Sequence, residues 1–497
     1  MPAPVRSFRL SLLAFQQTTR LRARAPRLVL LGAIVLGAAL RWHHLGAESA
    51  WLDEAYSIDL ARRPIDQILR QGWTDIHPPL YYVTLHAWTA LAGTSEAGAR
   101  LLSTMFDLGT LVATWGIARA LAGPSVAAIA ALLLALSPFH VEFAQEARMY
   151  ALLGLTSTLS MQAFVALVRG RSTRATVGYV IATTLLMYTH VHSVFVIAAQ
   201  AAAFGWWLAV DRTSQARSSL FRWLAALTAV FVLFLPWMTV LWNQLSRVRE
   251  SFWIQRPPWG DGLALFASYA GSERAALILG GFAVLGVLAL MTRRSDPPVA
   301  PRPLGVLVPW LIIPALAPLV VSEIATPVFL PKYTIAASIP FAILAASGIV
   351  RIPVLPLRVA AVALVTALSL HDLLHFYDTR RREGWRTAVA IVESLARPGD
   401  VLLFYPEFNH YPFDHYRRRD DLVSVPFPLA PLVPIPDPPL LDELLDDTVG
   451  TKPRVWLIAL QGAPERIPIA EGLARRRTER RHIVVEWLEV DLFERPK

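Results

Sequence analysis

An all-α, polytopic membrane bundle with a small C-terminal α/β domain outside the bilayer is the architecture this sequence predicts. Three observations point to it. The 497 residues are 55% hydrophobic and only 17% charged, with a mean hydropathy of +0.44, a balance that a domain with a polar surface does not reach. Apolar runs of about 17–22 residues recur, long enough to cross about 30 Å of hydrocarbon. After Tyr377 the composition turns to Arg, Asp, Glu and Pro.

Residues 1–27 carry Arg6, Arg9, Arg20, Arg22, Arg24 and Arg27 and no acid, and lead into the apolar stretch 28–40. So long a basic region, followed by only a weak cleavage match at 47-AESA-50, reads as a cytoplasmic N-terminus and an uncleaved first span. Spans are expected at 28–44, 101–121, 124–140, 149–168, 176–191, 193–210, 219–242, 273–292, 304–322, 333–350 and 357–374. The segment 78–93 opens with two prolines and is rich in Tyr, Trp and His, the composition of an interfacial or re-entrant piece. The transmembrane domain is thus 28–378, with about 11–13 helices. In 379–497, the runs 400–405, 454–460 and 482–490 read as strands and 385–396 as a helix ending at Pro398-Gly399. The Pro-rich stretch 426–440 reads as an irregular excursion.

Charge decides the topology. With 78–93 not crossing, the loops holding Arg119, 169–174, 212–222, 293–302 and 351–358 all face the N-terminal side, as the positive-inside rule asks. The net charge of +10 therefore reports membrane orientation and contact with anionic lipid, not nucleic acid. The first loop, 41–100, then lies outside with 139–150, 190–193, 243–272, 322–332 and everything after about 378. Cysteine is absent, which excludes disulfides, a thiolate nucleophile and Cys-ligated zinc.

This placement gathers the polar residues of interest on one rim. Asp53 and Glu54 adjoin the first span, where a carboxylate is costly to keep ionised. One of them can abstract a proton while the other orients substrate or holds a cation; the plainer role is a first-turn acid of an interfacial helix. His77, in 77-HPPLYY-82, suits a phosphate or hydroxyl, whereas Tyr81, Tyr82 and Trp88 suit an aromatic belt. In 137-SPFHVEFAQEARMYAL-152, Glu142 and Glu146 share a face if the piece is helical, with Arg148 close by. His190 and His192 form a His-x-His pair that lacks an adjoining acid or Cys. Lys332, before Tyr333, suits a phosphate head group or snorkels to the interface. Asp107 lies deeper and reads as a structural partner within the bundle.

Taken in order, Asp53-Glu54, 77-HPPLYY-82, Arg100-Leu101, 137-SPFHVEFAQEARMY-150 and Lys332-Tyr333 resemble bacterial integral-membrane glycosyltransferases of the GT-C fold. The branch is the one that holds protein O-mannosyltransferases and the lipid A aminoarabinose transferase. The likeness covers roughly 28–375, and 383-EGWRTAVAIV-392 with 399-GDVLLFY-405 is similar to the extracytoplasmic tail of many bacterial members. The resemblance implies a multi-pass protein of the cytoplasmic membrane that moves a sugar from a polyprenyl-phosphate donor to a glycan, lipid or protein acceptor on the outer face, commonly with inversion. It casts Asp53 as general base with Glu54 beside it. The family's second-loop acid falls within Glu142 to Glu146, either of which can fill it; with His77, Tyr81, Arg148, Tyr150, His190, His192, Lys332 and Tyr333 on the same outer rim, these residues make up the expected substrate-binding set. Relatives often have Arg-Tyr where this chain has Lys332-Tyr333; lysine keeps the charge and loses the bidentate geometry. No cofactor is required by anything in the sequence, and a divalent metal stays open because some relatives use one and others do not. The alternative from another class is a transporter or flippase of lipid-linked sugars, which calls for paired broken helices and mid-depth charges.

Overall fold

The computed structural model describes residues 25–71, 77–170, 172–210, 214–250, 254–292, 302–380, 382–427 and 435–496. Most of the basic N-terminus, nearly all of the 293–302 loop and half of the Pro-rich stretch 426–440 lie outside the described residues. Among the described residues, nine helices are long and apolar enough to cross a membrane: Ala25–Trp42, Glu96–Ala122, Tyr150–Arg169, Ser193–Val210, Ala216–Gln244, Glu273–Met291, Pro303–Ile324, Pro331–Arg351 and Leu355–Thr379. A pair bent by 61°, Pro124–Ala135 with Pro138–Ala144, makes ten if it counts as one span.

That number is below the sequence expectation for two local reasons. The stretch 124–140 is interrupted at Ser137, whose hydroxyl caps the next helix by accepting from the His140 N–H at 3.4 Å, while Pro138 supplies no N–H to continue the first one. The stretch 176–191 yields only the 15-residue helix Thr173–Met187. The segment 78–93 forms the 13-residue helix Leu80–Ala92, about 20 Å long at 1.5 Å per residue and short of the hydrocarbon thickness.

The chain divides into two compact units. The first comprises Met1–His43, Leu69–Tyr81 and Arg100–Asp378; the second comprises His44–Ile68, Tyr82–Ala99 and Thr379–Lys497. In the first unit, small residues let helices approach to backbone contact, as membrane packing without a hydrophobic drive requires. A Cβ on Gly348 would lie 1.9 Å from the Phe282 carbonyl oxygen, and one on Gly286 would lie 2.0 Å from that of Leu344. Side-chain amides and hydroxyls link further helices: Tyr179 donates to Gln200 at 2.8 Å, Gln200 donates to Ser160 at 2.9 Å, and Trp223 donates to Tyr179 at 3.0 Å.

In the second unit, strands β1 (Val401–Tyr405), β2 (Val423–Pro426), β3 (Arg454–Leu460), β4 (Thr478–Val485) and β5 (Leu488–Glu494) form one sheet in the order β2-β1-β3-β5-β4. The first three run parallel, and β5 is antiparallel to both β3 and β4. Alternation along β1 and β3 sends Leu402, Phe404, Trp456 and Ile458 into a core with helix Trp385–Leu395, and Val401, Leu403, Val455 and Leu457 into a core with helix Pro438–Val449. The expected strand 482–490 is instead a hairpin, because Glu486 takes a left-handed φ of 52° and turns the chain. Strand β2 was not foreseen; its four residues are too few to show a period.

Gly348→Ala is expected to destabilise the protein by about 1–3 kcal/mol through overpacking, seen as a lowered melting temperature in detergent. Gly281→Ala, with nothing within 4 Å of the added Cβ, is expected to leave it unchanged.

Candidate functional site

In the first unit a ring cluster assembles from four separate stretches of chain. His77 precedes two prolines, and the Leu80 N–H that follows donates to the Tyr188 carbonyl at 3.1 Å. His190 and His192 occupy the turn between helices Thr173–Met187 and Ser193–Val210. Tyr333 lies in the 3-10 turn Pro331–Thr334, and Tyr150 opens helix Tyr150–Arg169. Ring centres of Tyr333 stand 4.7 Å from His190, 4.9 Å from His192 and 6.0 Å from Tyr150; His77 stands 5.3 Å from His190. The Lys332 ammonium sits 5.1 Å from the centre of the Tyr150 ring, within cation–π range.

Hydrogen bonds fix two imidazole tautomers. The His192 backbone N–H donates to His190 Nδ1 at 3.1 Å, so the proton of a neutral His190 is on Nε2. His192 Nε2 meets the Val328 carbonyl at 3.0 Å and must donate, which leaves its Nδ1 as an acceptor. Among the described residues, His190 Nε2, His192 Nδ1 and His77 Nδ1 are buried without a protein hydrogen-bond partner. Such groups call for a ligand or ordered water. Burial pushes His77 and His190 far below the usual imidazole value; the Arg148 and Lys332 charges act the same way on both, and His192 adds to it. Burial lowers His192 to about 4 against a weaker raising effect from Val328. The three rings are therefore uncharged at neutral pH, and the positive charge of the cluster belongs to Lys332 and Arg148.

Arg148 and Glu146 are buried in the turn after Pro138–Ala144, and Glu142 is half-buried on that helix. Helix Glu96–Ala122 clips the turn in place: Ser103 donates to the Arg148 carbonyl at 3.3 Å and Thr104 to that of Ala144 at 3.1 Å. Tyr81 is buried with its hydroxyl 3.0 Å from Ser103. Below this level Asp107 is held by Arg41 at 2.5 Å and by His140 Nδ1 at 2.7 Å, and His140 Nε2 reaches Ser338 at 2.8 Å. Arg41 also donates to the carbonyls of Gly37, Ala135 and Leu134. The structural role expected of Asp107 is the one observed.

In the second unit, Asp53 and Glu54 lie in the first turn of helix Leu52–Ala61, where the helix dipole favours carboxylates. Adjacent side chains on a helix point about 100° apart, and the two differ accordingly. Asp53 is half-buried, whereas Glu54 is wholly buried and paired with Arg382 at 2.5 Å.

Residues 76–242 match the family model described as Dolichyl-phosphate-mannose-protein mannosyltransferase. Comparison with curated proteins yields no sequence match. Among solved structures, ArnT from Cupriavidus metallidurans in the apo state is similar over 95% of this chain and 98% of its own, at 16% identity and a TM-score of 0.66. A structure of the same ArnT bound to undecaprenyl phosphate is similar over 93% and 97%, at 15% identity and a TM-score of 0.65. The Archaeoglobus fulgidus oligosaccharyltransferase in complex with Zn and sulfate is similar over 87% and 68%, at 11% identity and a TM-score of 0.58. The fold is GT-C.

Within this GT-C bundle the structure brings together His77, Arg148, Tyr150, His190, His192, Lys332 and Tyr333, with Tyr81 bonded to the helix that supports them. Arg41, Ser103, Ser338 and Arg382 were missed. Arg41 reads as an interfacial cation ending the first span, and its partner Asp107 is 66 residues away; nothing local links Arg382 to Glu54 across 328 residues. A cluster of metal-ligand type among the described residues, Glu479, His482 and Asp491, lies on the edge hairpin of the GT-C tail. Its buried acid, Asp491, is already engaged by Arg466 at 2.6 Å and His482 at 2.6 Å, the arrangement of an ion-pair cluster.

The depressed imidazoles set a pH dependence. Between about 6.5 and 4 the unfolded chain binds protons that the folded cluster refuses, so stability present above pH 6.5 is lost as pH falls through that window. Melting temperature is expected to fall from pH 7 to pH 4.5, and the combined His190→Gln and His192→Asn variant is expected to show a flatter slope.

Proposed function

We propose that this protein is a glycosyltransferase that takes a sugar from a polyprenyl-phosphate donor and passes it to an acceptor at the outer face of the cytoplasmic membrane. The observation that carries this reading is the cluster of cation, neutral imidazole and tyrosine around Lys332. The match to a mannosyltransferase family model and the fold shared with an ArnT that binds undecaprenyl phosphate support it.

A polyprenyl phosphate keeps its tail in lipid and presents its phosphosugar at headgroup level. Lys332 and Arg148 supply positive charge for the phosphate, which gains negative charge as the bond to the sugar breaks. Tyrosine faces suit the apolar faces of a sugar ring. The neutral His190 offers its Nε2–H, and His192 offers an acceptor that a phosphate oxygen cannot satisfy but a hydroxyl can. Asp53 takes the proton from the acceptor hydroxyl as that oxygen attacks the anomeric carbon. The electrons of the broken carbon–oxygen bond leave on the phosphate, and displacement from the opposite side inverts the centre. Glu54 serves beside Asp53 as its positioning neighbour.

The transporter alternative draws little support. Among the described residues one bent helix pair occurs, and the deep acid Asp107 is engaged by Arg41 and His140.

Deletion of the gene in its host, followed by mass analysis of envelope glycolipids and glycoproteins, is expected to reveal a missing glycosyl group that the wild-type gene restores. Asp53→Asn, inserted at wild-type abundance, is expected to restore at least about 10²-fold less, the usual scale of general-base loss. Wild-type restoration by that variant would refute the base assignment. Lys332→Ala is expected to weaken undecaprenyl phosphate binding to the purified protein by about tenfold, the scale of one charge-assisted contact.

A further inference from the structure

Resting on the reading of Asp53 as the base, we infer that the C-terminal domain belongs to the catalytic apparatus: Arg382, at its start, is a positioning residue that sets the orientation of the Asp53 helix. The inference stands on contacts that join the first loop to residues 290 to 366 positions later, all inside the second unit.

Four ties converge on the approach to that helix. Arg382 Nη1 donates to Glu54 Oε2 at 2.5 Å, with the carboxylate fully buried and the guanidinium 8% exposed. Glu383 is half-buried beside the start of the helix: burial raises its carboxyl pKa, and the nearby Leu52 backbone N–H acts against that rise. Arg386 donates to the carbonyls of Ala47 and Gly46 at 3.2 and 3.3 Å and pairs with Glu96 at 2.5 Å. Tyr416, from helix His410–Tyr416, donates to Glu96 and accepts from the Ala50 N–H, both at 2.6 Å. The turn that brings these residues in is tight: a Cβ on Gly384 would lie 2.7 Å from Val485 Cγ1 and 3.0 Å from Glu486 Oε2, so the domain's own hairpin packs directly on this segment.

The consequence follows from helix geometry. With Glu54 drawn inward by a buried ion pair, its neighbour Asp53 is turned about 100° away and left half-buried. Breaking the pair leaves a buried charge without its partner, which the helix relieves by rotating or by letting water in. Either displaces Asp53 from a geometry to which base catalysis is sensitive. Arg382 touches no reacting atom on this account.

The test uses the full-length protein in the host strain lacking the gene, with the rate at which the lost glycan reappears after induction as the readout. Binding of undecaprenyl phosphate to the purified protein and its melting temperature are measured in parallel. Arg382→Met is expected to slow restoration by about 10²-fold while changing the undecaprenyl phosphate Kd less than about twofold. Arg382→Lys is expected to recover about tenfold of that loss, since the charge is retained. Glu54→Gln combined with Arg382→Met is expected to be no slower than either alone, because the two act as one unit. Should Arg382→Met fail to fold, Arg386→Met at the exposed end of the same clamp is expected to cost about five- to tenfold in rate with unchanged Kd. Wild-type restoration by Arg382→Met, or by Arg386→Met in its place, overturns the inference, as does a rate loss matched by an equal loss of undecaprenyl phosphate affinity. If Asp53→Asn is inactive while Arg382→Met is fully active, this inference alone fails; if Asp53→Asn is active, the base assignment beneath it fails.

Discussion

The first unit depends on a buried charge that is fully answered. Arg41 ends the first membrane helix with no exposed surface, and each of its guanidinium nitrogens finds an oxygen, on Asp107 or on the carbonyls of Gly37, Leu134 and Ala135. Those last two carbonyls close helix Pro124–Ala135 just before its 61° bend. Asp107 passes the interaction to His140 beyond the bend, and His140 passes it to Ser338. The network thus welds the bent pair to three other helices at its weakest point. Removing one partner would strand a charge at a cost of about 3–5 kcal/mol, so the turn carrying Glu146 and Arg148 inherits its position from an interaction well below it.

Above that frame the chemistry divides between charge and neutrality. Lys332 and Arg148 keep the cluster positive, while burial and those same charges keep three imidazoles uncharged. A neutral imidazole with a fixed tautomer can direct a hydroxyl without adding to the attraction for phosphate. The carboxylate assigned as base belongs to a different unit, where the helix dipole and a buried ion pair govern its setting. Each half of the proposed reaction therefore has its own structural support.

Much of this was legible in the sequence, for identifiable reasons. Long apolar runs read as spans because hydrocarbon thickness sets a minimum length, and most of them form membrane-length helices. The two exceptions fail where Pro138 breaks a run and where the chain turns at His190. Chemically distinctive residues, from Asp53 to Lys332, stood out because charge and imidazole are rare in so apolar a chain. What stayed hidden was pairing across distance. The tie of Glu54 to Arg382, of Arg41 to Asp107, and of His192 to the Val328 carbonyl each joins residues whose local contexts say nothing of one another. The tail showed the same limit: its buried parallel strands β1 and β3 were readable as apolar runs, whereas the hairpin turn at Glu486 falls inside what looks like one continuous strand.

The most direct measurement is of the donor itself. Purified full-length protein would be incubated with lipids extracted from the host's gene-deleted membranes, and polyprenyl phosphates would be followed by mass spectrometry. The account predicts that one polyprenyl-phosphate sugar is consumed while free polyprenyl phosphate rises in equal amount. An unchanged profile of every such lipid, in the presence of acceptor-containing extract and active protein, would contradict it.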